Sequence, residues 1–120
     1  MDSLQATDEA SKAVQKTPNR VALADIEDAI LNIQYIYPDD VPHMTIAVVL
    51  LKNGWAEVGK SAPADEGNFD RDLGKKFARE DAIRHLWPLF GFALRDRLSQ
   101  HTQGEGEQAQ NHTKLDPEDE

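Results

Sequence analysis

The chain contains no cysteine, which excludes disulfides, thiolate metal sites and thiol nucleophiles. It is also poor in basic residues: 13 Lys and Arg stand against 22 Asp and Glu, for a net charge of -9. Such a balance repels nucleic acid at long range. Long apolar runs are missing too. The longest, Ile46 to Leu51, is far too short to span a bilayer, and residues 1–20 lack the apolar stretch of a signal peptide. The expectation is a soluble, cytoplasmic chain with no membrane partner. No nucleophile elbow, phosphate-cradling glycine loop or paired acid/base carboxylates can be found. No enzyme and no cofactor are therefore expected.

What is present fits one small domain of 120 residues. Met1 to Thr17 is polar without a sustained hydrophobic period, and Pro18 follows, so residues 1–20 read as a disordered tail. Residues 101–120 carry six acids against Lys114 and few apolar side chains; they read as a disordered acidic tail. The fold is expected in residues 21–100. A core that small gains from association, so a homodimer is expected.

Within it, Leu23, Ile26, Ile30, Ile33 and Tyr37 recur at helical spacing, with Asp25, Glu27 and Asp28 at the positive end of the helix dipole. The reading is a helix stopped by Pro38 and Pro42. Met44 to Leu51 is apolar on both strand faces, a strand covered on both sides or paired with another chain. Asn53-Gly54 then suggests a two-residue type I′ hairpin turn. Trp55 to Ala62 returns as the second strand, with Gly59 at a bulge or close backbone approach. Asn68 reads as the cap of a long helix, which Pro88 ends or kinks before a further stretch to Gln100. The class is α+β in the order α-β-β-α-α.

Three groups of residues carry functional readings. Gly74, Ala78 and Ala82 form a small-residue ridge at i, i+4, i+8, which packs closely on the chain's own hairpin or forms a dimer seam. Arg71, Lys75 and Arg79 form a basic stripe with Lys76 beside it. With Lys52 and a base-stacking Trp55 at the hairpin tip, it supports an alternative reading as a nucleic-acid-binding face; the plainer reading is a mixed, solvated helix face, since Asp70, Asp72, Glu80 and Asp81 share the helix. Asp81 and His85 have the i, i+4 spacing of two metal ligands, but the sequence offers no second such pair, so no metal is expected. A third reading is an acidic nucleic-acid mimic presenting Asp25, Glu27, Asp28, Asp39, Asp40, Asp65 and Glu66.

Leu51-Lys52-Asn53-Gly54-Trp55, Gly59-Lys60-Ser61-Ala62, Asn68-Phe69-Asp70 and Trp87 through Gly91-Phe92-Ala93-Leu94 also occur in an order and spacing that resembles a small phage-encoded family of uncharacterised function, the phage gp-forty-nine/gp-sixty-six family. The likeness covers about residues 21–98. It departs where cysteines are expected, at Ala47 and Pro63, which undercuts any metal or redox role there. The resemblance implies a phage or prophage origin and a place in the bacterial host cytoplasm, and it supplies no catalytic residues. By analogy with small accessory phage proteins, it implies binding to a host protein that is inhibited or redirected.

Overall fold

The computed structural model describes residues 3–110, with only the helix backbone for 101–110. The elements are α1 (Ser3–Ala13), α2 (Leu23–Ala29), β1 (Ile30–Ile36), β2 (Thr45–Leu51), β3 (Ala56–Ser61), a 3₁₀ turn (Glu66–Asn68) and α3 (Arg71–Gln110). The strands form an antiparallel sheet in the order β1-β2-β3. The class is α+β, as the change of hydrophobic period requires.

Three elements differ from expectation. The helix begun at Leu23 ends at Ala29, and Ile30–Ile36 is a strand. Its register slips between Ile30 and Asn32. That bulge at Leu31 takes up one residue, so Ile30, Ile33 and Tyr35 share the inner face of a strand at spacings that imitate a helix. Residues 3–13, expected to be disordered, are helical. Leu4 is 3% exposed in the core, and Asp8 reaches Arg20 at 2.7 Å and the Leu23 amide at 3.0 Å. Tertiary contacts thus order a segment whose own apolar content is small. Finally, α3 is one helix with Pro88 in its interior, not two. Leu86 is buried just before the proline, and Trp87 and Phe90 pack on the core around it, so burial on both sides offsets the lost amide bond. The helix backbone continues over 101–110; residues 111–120 of the expected acidic tail lie outside the described residues.

Smaller features follow local chemistry. Asp70 caps α3 by accepting from the Leu73 amide at 2.9 Å, in place of Asn68, which belongs to the 3₁₀ turn. The hairpin loop has three residues, Lys52, Asn53 and Gly54. Leu51 accepts from the Gly54 amide at 2.9 Å and its own amide donates to Trp55 at 2.8 Å. Only glycine suits the φ of +94° at position 54.

The helices cover one face of the sheet. Thr45, Ala47, Val49 and Leu51 of β2 are buried on that face, where Val49 and Leu51 join Leu4, Leu23, Ile26, Ala82, Ile83 and Leu86 in the core. The small-residue ridge makes the closest approach. A Cβ at Gly59 would overlap the Ala78 carbonyl and the Ala82 backbone, and one at Gly74 would lie 2.5 Å from Thr45 Oγ1. Gly74, Ala78 and Ala82 are therefore spent on the chain's own sheet.

Candidate functional site: a groove beside the hairpin tip

Beyond Ala82, α3 leaves the sheet centre and runs past the hairpin tip. Leu86, Leu89, Phe90, Ala93, Leu94 and Arg97 of α3 face Val21, Ala29 and Leu51 across an open groove of about 670 Å³. Arg20, Asp25, Lys52, Asn53 and Trp55 make the rest of the wall. The floor is aliphatic and aromatic, and the rim carries three cations and one carboxylate.

Local bonds set this geometry. Trp87 Nε1 donates to the Val21 carbonyl at 3.1 Å, holding the chain before α2 against α3. The Lys52 amide donates to the Ala29 carbonyl at 2.9 Å, fixing the hairpin to the end of α2. Asn53 Oδ1 accepts from the Trp55 amide at 2.9 Å, and Trp55 Nε1 donates to Glu57 at 3.1 Å. The indole is thus held in place while 51% exposed. Leu89 at 42% and Phe92 at 73% exposure lie on α3 nearby. Arg20 is committed to Asp8, which leaves Lys52 and Arg97 as the rim cations without an ion pair among the described residues.

The structure separates the candidates that the sequence grouped. Trp55 and Lys52 lie at the groove. The basic stripe lies toward the other end of α3: Gly74 meets the first residue of β2 and Phe90 the groove, about 24 Å apart at 1.5 Å per residue. The stripe packs across β1 and α2. The Arg71 guanidinium stands 4.0 Å from the Tyr37 ring centroid and the Lys75 ammonium 5.5 Å from that of Tyr35. Arg79 pairs with Glu27 at 3.0 Å and Lys76 with Glu80 at 2.6 Å. Burial raises the Tyr35 phenol above its ordinary value of 10, with the Arg79 charge pulling the other way. Each base already has a partner on its own chain. Among the candidate mimic carboxylates, Asp25 caps α2 through the Ala22 amide, Glu27 pairs with Arg79, and Asp65 caps the 3₁₀ turn through the Gly67 amide.

Asp81 and His85 close a strand edge. Asp81 Oδ2 accepts from the Lys60 amide at 2.9 Å, and His85 Nδ1 lies 3.0 Å from the Val58 carbonyl. These backbone groups face away from β2, so α3 side chains occupy hydrogen-bonding sites another strand would need. Among the described residues, no three or more His, Asp or Glu side chains are placed to hold a metal, and no helix is long and apolar enough to cross a membrane.

The groove residues on α3 were not read as a site from the sequence. Leu86, Phe90, Ala93, Leu94 and Arg97 recur at steps of 4, 3, 1 and 3, a helical stripe, but expecting a break at Pro88 divided it.

The chain matches the family model described as phage protein (N4 Gp49/phage Sf6 gene 66) family over residues 17–98, more than half its length. It belongs to that family. No curated protein and no solved structure matches it.

Proposed function

We propose that this phage protein is a non-catalytic binding protein that engages a host protein through the groove beside Trp55, and so inhibits or redirects it. The observation that carries the reading is the state of Trp55. Its backbone and indole nitrogen are already bonded within the chain, yet half its surface faces water at the mouth of an apolar groove. Rigid, half-exposed aromatics beside an apolar cleft are the common anchors of protein recognition. An apolar groove walled by a helix and a hairpin is the kind of cleft that takes an amphipathic helix or extended segment with apolar anchors, and Lys52 and Arg97 favour acidic residues flanking them.

The test is capture from host lysate with tagged wild-type protein, Trp55→Ala and Leu89→Glu, with Arg71→Ala as a control remote from the groove. The expected result is one host protein retained by wild type and control. Its affinity falls about 30-fold for Trp55→Ala, the loss of a hot-spot aromatic worth about 2 kcal/mol. Equal capture by all four proteins would end the reading.

A further inference from the structure

The sheet has a second face, and among the described residues nothing covers it. Residues paired across the strands share a face: Ile36 with Ile46 and Lys60, Gln34 with Val48 and Val58, Asn32 with Leu50 and Ala56. In β2 this set alternates with the buried one, so Ile46, Val48 and Leu50 point away from the helices. None of the six apolar members belongs to the core, and Ile36 and Val58 are 40% and 49% exposed. Leu31 at the β1 bulge is 61% exposed. A central strand apolar on both faces is one buried on both faces, yet α1, α2 and α3 contribute to one side only. Nor does the rest of the sequence offer a cover, because residues 101–120 contain only Ala109 and Leu115 as apolar residues.

We infer that this face is covered by the same face of a second copy of the chain, giving a two-fold dimer in which two three-stranded sheets stack back to back. Charge selects the occupant. Although the chain carries a net charge of -9, the face bears no carboxylate; its only ion is Lys60, on an edge strand, whose ammonium can reach water from the margin. Two identical faces can therefore meet without opposing like charges at their centre. Area agrees. Three strands about 4.8 Å apart and six residues at about 3.4 Å make a face on the order of 300 Å² in projection. The accessible surface of its side chains is larger, so stacking two copies removes on the order of 1,000 Å², where specific interfaces begin. Sheets stacked this way lie about 10 Å apart with strands crossing at about 30°. Extension of the sheet at β3 is the poorer route, since Asp81 and His85 occupy that edge.

The test is mass by light scattering over micromolar concentrations, on the full chain and on Ile36→Lys/Val58→Lys, with circular dichroism to establish folding. Wild type is expected at twice the 13.4 kDa chain mass and the folded double variant at the chain mass. Val48→Cys gives a second reading that does not need the lysine variant to fold. The chain has no other cysteine, so a short bis-maleimide, which bridges the roughly 10 Å between stacked sheets where a disulfide cannot reach beyond about 7 Å, should link two copies at the centre of the stack. Wild type at the chain mass at every concentration would overturn the inference, as would a host protein, not a second copy, found on this face. A dimer that survives the lysines, forms no bis-maleimide cross-link at position 48 and falls apart with Phe92→Glu would also overturn it, by moving the contact to α3. Trp55 lies on the groove and not on this face, so the outcome is read separately from host capture.

Discussion

Gly59 lies directly against Ala82: a Cβ built on the glycine would stand 2.8 Å from the Ala82 Cα. At this point β3 and α3 touch backbone to backbone. Gly59→Ala forces the helix off the sheet and should cost about 3 kcal/mol in a urea unfolding experiment. Gly54→Ala is the comparison. It meets no atom within 4 Å, and its φ of +94° should cost only about 1 kcal/mol.

Pro88 gives the opposite sign. It sits inside α3 with no amide to donate to the Arg84 carbonyl. Pro88→Ala restores that bond and should raise stability by about 1–2 kcal/mol, less than the full propensity difference because the unfolded chain also gains freedom. An unchanged or lower thermal midpoint would show that the proline conformation is needed by the packing of Leu86 and Phe90.

Acid should release the N-terminal helix. The Arg20 hydrogen bond, then the Leu23 amide, hold the Asp8 carboxyl below its ordinary 3.8, against the upward pull of burial. A depressed carboxylate contributes stability above its unfolded value. That contribution disappears as pH falls from about 3.8 through the lower folded value. Asp8→Asn should therefore flatten the loss of α1 protection in amide exchange over that window, and lower stability by about 1.5 kcal/mol at neutral pH by removing a charged hydrogen bond.

The basic stripe should behave as part of the packing. Arg71→Ala and Arg79→Ala each remove a cation–ring or ion-pair contact and should cost about 0.5–1 kcal/mol. Lys52→Ala should cost nothing measurable, as an exposed loop residue. Duplex DNA should not be retarded in a low-salt gel shift; retardation lost in Arg71→Glu/Lys75→Glu would restore the nucleic-acid reading.

Where a pattern was local, the sequence showed the structure. The strand at Ile46–Leu51, apolar on both faces, and a hairpin turning at Asn53-Gly54 follow from neighbouring residues, although the loop has three residues where two were expected; Gly59 signalled a close approach but not that Ala78 and Ala82 of α3 make it. β1 was hidden because one bulged residue, Leu31, turned a strand's alternation into spacings of 3 and 4. The β-branched and aromatic content of Ile30, Ile33, Tyr35, Ile36 and Tyr37 was the opposing signal. α1 could not be read locally, since distant partners hold it: Leu4 in the core, Asp8 on Arg20 and the Leu23 amide, and Ser3 on Arg84. Of the site, Trp55 and Lys52 were legible as exposed hairpin residues, but the groove exists only once α3 passes Pro88 intact.

The order of the elements has a consequence for synthesis. The whole meander, residues 30–61, leaves the ribosome before any of α3, whose Ala82, Ile83 and Leu86 cover Val49 and Leu51. The sheet's inner face therefore waits about 25 residues for its cover, a few seconds at bacterial elongation rates. Until then the inner face of β2 has only Leu4, Leu23 and Ile26 of α1 and α2 to pack on, and the β3 edge lacks Asp81 and His85. Nascent chains released before Leu86 should be the ones that aggregate.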